Sequence, residues 1–483
     1  MMKYFNKKTI LGVIAASMMT MSGCNSWLDV QPFDSMTEEQ LYSSESGIQR
    51  ALNGLYLNMT SSTLYAENLG PGIMEAMGQY YTISSGHRYY YFAQYQQNHD
   101  DIKETWEGIW DAAYTLIVNC NEFLEQIDQH QGLMSNNEYN MMKGEALAIR
   151  TMLHFDMFRL FGQVYNEANA SVLAVPYYDH VTDIAQPLLS GTDMMEHLIT
   201  DIDEAIELLS HDVILTNGIV ENEDFWDYRN LRMNYYAALT LKARICWYAN
   251  DTEHNNEAYK IASSLLAGTN PITGESCNFK KIFTPILQNA VSSDPMFYSE
   301  NIFALHNINR TDVQKDLFST DLDEDNILLS TSTFVSNLYE ENDYRYRIWS
   351  AATGRGSSNL MACSKFIEQT TNPSIDYQYE IQTMFNLGEL YLIAAATAPD
   401  DATATSYLEQ LRINRGYQVN NMQGADVTTI LQKEWEKELF GEGQFYYFLK
   451  RNNITTITNP NNVSQNINYS IPLPETETDN RRD

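Results

Sequence analysis

Apolar residues return every three or four positions over most of the chain, a spacing that lines one face of a helix. Between residues 102 and 129, Trp106, Ile109, Trp110, Ala113, Ile117, Cys120, Leu124 and Ile127 share such a face. A second stretch, 138–161, follows the breaker Gly132 and the polar Ser135-Asn136-Asn137. Two long helices joined by a short polar loop predict an antiparallel hairpin. Asp193 with Glu196 gives a capping-box-like start to a helix running through Leu209. Residues 231–248 and 257–266 predict another close pair, about 383–398 and 403–414 a further one, and a last helix begins near Val427. Stacked in order, these hairpins predict a mainly α fold, tetratricopeptide-like, in which each pair buries its apolar face against the next.

The period breaks at about 60–100 and 270–380, where the chain turns irregular and rich in aromatics, with room for a few short strands. Loops inserted in a rigid helical scaffold are where binding residues are expected. Tyr89, Tyr91 and Tyr95 alternate as one face of a short strand would, with Tyr90 on the other.

The first residues change the picture. Lys3, Lys7 and Lys8 precede an apolar run from Ile10 to Met21, closed by Ser22-Gly23-Cys24. A charged start, a short apolar stretch and a small-residue cut site predict a signal peptide over 1–23, too short to span a bilayer permanently. A cysteine at the cut predicts a lipoprotein, with acyl chains on Cys24 replacing a transmembrane anchor. The chain has 30 Lys+Arg against 63 Asp+Glu, and loss of three lysines with the leader moves the formal charge from −33 to −36. Phosphate backbones and anionic lipid are repelled by such a surface, so nucleic acid is not an expected partner.

No Pro-rich, Gly/Ser-rich or single-sign charge block divides the chain from Cys24 to about Ile471, which points to one large unit or two fused halves. Cys120 and Cys246 lie in apolar helical patterns and are expected as buried thiols. No C-x-x-C is present, so neither a zinc ribbon nor a dense disulfide framework is supported.

The residues resemble a known family. Trp27-Leu28-Asp29 and Pro32 after Cys24 are similar to the mature start of the SusD/RagB outer-membrane lipoproteins. Gly144-Glu145-Ala146 with Arg150, Phe155, Phe158, Arg159, Phe161 and Gly162 resembles the family's long second helix, followed by Val175-Pro176. Tyr235 through Ala243-Arg244 with Tyr248, and Leu387-Glu389-Leu390-Tyr391-Leu392 with Leu411, Asn414 and Arg415, are similar to its later helix pairs. Glu434-Trp435-Glu436-Lys437-Glu438-Leu439-Phe440-Gly441-Glu442-Gly443, continuing to Phe445, Phe448 and Lys450-Arg451, is the strongest match, and Ile471-Pro472 with Glu475 closes the chain. The pattern departs at Ala394-Ala395-Ala396, where an acidic position is usual, and at Tyr446-Tyr447.

That resemblance implies an N-terminal SusD-like region over 24–220 and a C-terminal RagB/SusD-like region over 221–483, packed together. It also implies a location on the outer face of the outer membrane and a non-catalytic role without cofactor. Such a protein captures an oligo- or polysaccharide and hands it to a TonB-dependent, SusC-like transporter. The alternatives from other classes are a lipid-anchored glycan hydrolase and a tetratricopeptide-like protein-binding scaffold.

Glu434, Glu438 and Glu442, spaced by four, predict three carboxylates along one helix face. A glycosidase pair is weighed there and set aside, because catalytic carboxylates come from separate elements flanking the sugar. No nucleophile elbow, His-Glu-x-x-His pair or phosphate-cradling loop is present. His154 is expected as a satisfied structural residue. Asp321, Asp323 and Asp325 mimic a calcium loop, but Asn326 and Ser332 stand where Gly and Glu are needed, so a solvated acidic loop and no metal are expected.

Two aromatic sets carry the binding expectation. Tyr80, Tyr81, Tyr89, Tyr90, Tyr91, Phe92 and Tyr95 form the first; Phe297, Tyr298, Tyr339, Tyr344, Tyr346 and Trp349 the second. A tyrosine offers a stacking face for a sugar ring and a phenol for its hydroxyls, with little rotamer entropy to lose. The candidate ligand-binding residues are Tyr80, Tyr81, Tyr89, Tyr90, Tyr91, Tyr344 and Trp349, with Asn, Gln and Asp nearby supplying hydrogen bonds.

Overall fold

The computed structural model describes residues 37–222, 224–352, 359–367, 380–422, 424 and 426–479. Cys24, the leader and the Trp27-Leu28-Asp29 motif lie outside the described residues. We number the longer helices α1 (Glu45–Met59), α2 (Asp100–Gln129), α3 (Asn136–Phe161), α4 (Gly191–Leu208), α5 (Tyr235–Ala249), α6 (Thr252–Ala267), α7 (Leu387–Ala396), α8 (Asp401–Ile413), α9 (Val427–Glu438) and α10 (Phe445–Arg451).

The expected α2–α3 hairpin is present, and Ser135 with Glu138 forms a full capping box at the start of α3. Twenty residues of α3, from Met141 to Phe161, are buried on all sides, because α2 packs on one flank, α4 on the other and α1 against a third. Packing then proceeds in chain order, α4 to α5, α5 to α6, α6 to α7 and α7 to α8 and α9, as stacked hairpins require. The fold is mainly α and tetratricopeptide-like.

Three boundaries differ from the sequence reading. α4 starts at Gly191, and its N-cap is Ser190, whose hydroxyl accepts from the Asp193 amide; Asp193 is the third helical residue and not the cap. The stretch expected as helix from 383 begins as a strand, Ile381–Asn386, and turns into α7 only after Asn386 caps it through the Glu389 amide. Six buried residues in a row suit a covered strand as well as a helix, so periodicity does not separate them. Nor is α9 the last helix, since α10 and a short turn of helix at Glu475–Asp479 follow.

Strands are few and short among the described residues. β1 (Leu173–Pro176) pairs β2 (Leu188–Ser190), and β3 (Asn301–His306) pairs β7 (Ile381–Asn386). β4 (Leu329–Thr331) and β5 (Trp349–Ala351) flank β6 (Leu360–Cys363), while β8 (Thr456–Thr458) and β9 (Ser464–Asn466) form a hairpin; every pair is antiparallel. One hydrophobic core runs from Tyr42 to Ile471. Cys120, Cys246 and Cys363 are buried free thiols and Cys277 is half-buried and free. No described helix is long and apolar enough to cross a membrane.

Distant parts of the chain close on one another at the turn after α9. Glu75 Oε1 accepts from the amides of Gly441 at 2.8 Å and Gly443 at 2.9 Å. Gly443 has φ +70°, and a Cβ there would meet the Leu69 carbonyl oxygen at 2.3 Å, so only glycine fits. From α10, Lys450 Nζ donates to Leu160 O and Gly162 O at 3.0 and 2.6 Å, and Arg451 Nε to Trp247 O at 2.6 Å.

Burial pushes the Glu75 carboxyl up to about 8, although the two amides and Lys365 pull the other way. The folded state therefore holds that proton more tightly than the unfolded chain does. Its stabilising contribution is whole below the ordinary carboxyl value near 4.5 and is lost as pH rises through about 8, at roughly 1 kcal/mol per pH unit. Glu75→Gln keeps an acceptor for both amides and cannot ionise. Urea unfolding at pH 5 and pH 9 should show the variant gaining on the wild type at the higher pH; an unchanged difference would mean that Glu75 is ionised at both.

Candidate functional site

The two aromatic sets divide by depth. Tyr80 is fully buried, its hydroxyl donating to Glu436 O at 2.5 Å and its ring 4.9 Å from Phe440. Tyr81 donates to Pro71 O at 3.1 Å, Tyr89 to Glu67 and Tyr95 to Met77 O, all from buried positions. Trp349 packs on Phe440 at 4.7 Å, and Tyr344 is buried against Ile286. Of the seven candidates, Tyr80, Tyr81, Tyr89, Tyr344 and Trp349 are thus core residues, with little ring surface left for a ligand to cover. The phenol that could have met a sugar hydroxyl instead satisfies a backbone carbonyl or a carboxylate, which is how a large amphipathic ring is accommodated inside.

Tyr90 and Tyr91 are half-buried and start a short helix, Tyr90–Ala93, not the expected strand. Tyr91 stacks on His99 at 3.4 Å. In the second set Tyr346 is 39% exposed and packed edge-on against buried Tyr339, and Phe297 and Tyr298 are half-buried.

The loop-rich face holds three depressions around the short helix Ser332–Leu338 and the β8–β9 turn. One, of about 620 Å³, is lined by Tyr344, Tyr346, Arg347, Glu340, Asn342 and Gln418 among others. The second, about 670 Å³, lies across the helix between Phe334, Asn337, Gln432, Glu436, Thr458 and Asn462. The third, about 330 Å³, is bounded by Thr82, Ser84, Glu324, Ile327, Leu329 and Asn461.

The last two share the turn at 459–462, and local chemistry makes that turn stiff. Asn459 Oδ1 accepts from the amides of Asn461 and Val463, both at 3.0 Å, Asn462 sits at φ +60°, and Thr331 clamps Pro460 O at 3.0 Å. Asn461 and Asn462 are presented outward from it, with no side-chain partner among the described residues. Amides and hydroxyls on a fixed loop can hydrogen-bond saccharide hydroxyls. Asn-Pro-Asn-Asn after the threonine-bearing run 455–458 was a legible turn signal, but nothing in the sequence brings it beside residues 82–84 or 324–337.

Burial raises Glu436 to about 7 against the pull of Lys437 and Lys433. Glu434 and Glu438 have a different fate. Glu434 meets Arg345 at 2.7 Å, Arg412 at 2.8 Å and Lys437 at 2.5 Å. Glu438 meets Arg345 at 2.7 Å and Arg415, while Arg415 also holds Glu300 at 2.6 Å and Arg345 holds Asp343 at 2.7 Å. Four cations face four buried carboxylates, with Glu340 reaching Arg412 from the surface at 3.0 Å. Burial opposes the charge on Glu434, yet Lys437, Arg345 and Arg412 hold it well below the usual carboxylate range. α9 ends at Glu438, so Glu442 does not share its face; it pairs with Lys365 at 3.1 Å and Asn386 at 3.0 Å. Glu434, Glu438 and Glu442 bind the fold together through these cations and the Asn386 amide.

The remaining sequence candidates are structural. His154 is buried, stacked 4.0 Å from Tyr177, with Nε2 3.1 Å from Tyr178 O. Asp321, Asp323 and Asp325 lie on an exposed loop, where Ser84 donates to Asp325 at 2.7 Å.

Residues 26–218 match the model of a SusD-like family described as starch-binding and associating with the outer membrane. SusD-like protein P38 of Formosa agariphila is 24% identical over 281 residues, 55% of this chain and 46% of that protein, so the chain spans about half the length of the curated relative it matches. Among solved structures, a SusD superfamily protein of Bacteroides thetaiotaomicron superposes with TM-score 0.69 at 21% identity, covering 90% of this chain and 98% of the other. A SusD-like carbohydrate-binding protein of Bacteroides vulgatus superposes with TM-score 0.66 at 20% identity, covering 86% and 85%. The shared fold thus extends well beyond the matched N-terminal residues.

Proposed function

We propose, for a SusD/RagB-type chain that is SusD-like in sequence over residues 26–218 and in fold over nine-tenths of its length, that it binds glycan without turning it over. Cys24 carries the lipid anchor, the protein sits at the outer membrane facing outward, and a TonB-dependent transporter receives the ligand. The observation that carries the binding role is the loop-rich face, with polar depressions on both sides of the Ser332–Leu338 helix and an exposed ring at Tyr346; Tyr90 is a second, half-buried ring. A hydrolase is the weaker reading, because Glu434 and Glu438 are both spent on buried arginines. A scaffold for protein alone leaves the amide-lined depressions without a role.

Calorimetry of the full chain against a polysaccharide panel should find one bound class with no product formed. Tyr346→Ala and Tyr90→Ala should each be compared with it; loss of a stacking ring weakens binding by about 1–3 kcal/mol, on the scale of base–aromatic stacking. Tyr80→Ala, by contrast, should lower the melting temperature, since it empties a core position. Normal binding by both surface variants would move the site off these rings, and release of reducing sugar would favour the hydrolase.

A further inference from the structure

The two depressions that share the 459–462 turn carry carboxylates and, among their described lining residues, no lysine or arginine. Glu324 stands in the smaller one and Glu436 in the larger. Neither side chain makes a hydrogen bond or ion pair to another described residue, in contrast to Glu434 and Glu438, two residues to either side of Glu436. A carboxylate spent on the protein's own cations is electrically silent to a visitor; one left unspent is not.

The free polar groups around them are uncharged, amides together with the hydroxyls of Thr333, Thr456 and Thr458. Asn337, Gln432, Asn461 and Asn462 have no side-chain partner among the described residues. Amides and hydroxyls can donate to and accept from sugar hydroxyls but bring no formal charge; the cations that act on Glu436, Lys433 and Lys437, do so from outside the lining. The wider surface adds to the effect: Asp321, Asp323 and Asp325 stand on the exposed loop beside Glu324, and the chain as a whole has 63 acidic against 30 basic side chains. A carboxylate or sulfate brought into this groove comes within the ~8–10 Å over which charges act at ordinary salt.

We propose that Glu324 and Glu436 are specificity-determining residues that admit uncharged saccharides to this groove and turn away uronic acids and sulfated sugars. The inference rests on the proposed glycan-binding function and adds a substrate class to it. The groove recognises hydroxyls through its amides and rejects anions through its two free carboxylates.

The test is calorimetry of the full chain at pH 8, where Glu436 is ionised, in 50 mM salt. The probes are amylopectin, galactomannan and xyloglucan, the carboxymethylated form of each, polygalacturonate and chondroitin sulfate. One neutral polymer should bind, its carboxymethylated form at least tenfold more weakly. In Glu324→Gln/Glu436→Gln that ratio should fall at least threefold. As a measurement that needs no variant, raising salt to 500 mM with the wild type should narrow the same ratio. Equal or tighter binding of an anionic polymer by the wild type, or a ratio indifferent to both salt and the double substitution, would overturn the charge selection and leave the glycan-binding function standing. Failure of every polymer, neutral and anionic, would overturn both.

Discussion

Arg345→Ala is expected to destabilise the protein by about 3–5 kcal/mol, a large part of the 5–15 kcal/mol that holds a typical domain together. Arg345 is buried and bonds Asp343, Glu434 and Glu438 at 2.7 Å each. Its removal leaves three carboxylates facing each other with Arg412, Arg415 and Lys437 to compensate them, and burial already works against the charged forms of Glu434 and Glu438. Breaking one partner of a buried ion network costs more than the network contributes, because the orphaned charge cannot return to water. Arg345→Lys should restore little, since an ammonium cannot serve three carboxylates through a planar fork. Urea unfolding followed by tryptophan fluorescence reads the loss directly. A change under 1 kcal/mol would mean that the four carboxylates are held by the remaining cations alone.

The second large effect is expected at Trp435. Its ring stacks on Trp247 at 4.3 Å and 16°, and Phe448 lies 5.1 Å away, so the helix α9 is joined to α5 and α10 through one aromatic column. Trp435→Ala removes a fully buried ring and leaves a cavity between three helices. Such truncations cost about 3–5 kcal/mol. Trp435→Phe keeps a stacking partner and should cost much less. Thermal unfolding of both variants checks this; equal losses would mean that the indole edge, not the stack, supplies the stability.

Most of the helical frame was legible because its helices are amphipathic over several turns. α2 shows this best, its twelve buried residues falling on the face that the spacing of Trp106, Ile109, Trp110 and Ala113 marked out. α7 shows where the same logic ends. Ile381 to Asn386 is buried at every position, and a run without a polar face fits a strand or a helix equally until its neighbours are known. β3, some eighty residues earlier, is what settles the choice.

The candidate site was less legible for a related reason. Aromatic residues in irregular chain have no period from which to read which side faces in. Tyr80 and Tyr346 look alike in sequence, yet one lies beneath Phe440 and the other faces solvent. The role of Glu434 and Glu438 was equally hidden, since Glu300, Asp343, Arg345, Arg412 and Arg415 come from separate stretches of chain that meet only in the fold. The SusD-like resemblance found the motif and gave no hint of its partners.

The Glu75 contact with Gly441 and Gly443 bears on how this chain reaches its fold. A carboxyl group near the start of the described chain takes both of its backbone hydrogen bonds from amides more than 360 residues later, and Lys450 reaches back to Leu160 and Gly162. Loop closure on that scale comes late, after its entropy has been paid by other contacts. The ring of Trp247 on α5 and the Arg159 end of α3 therefore stay uncovered during synthesis until Trp435 of α9 and Tyr447 and Phe448 of α10 have emerged.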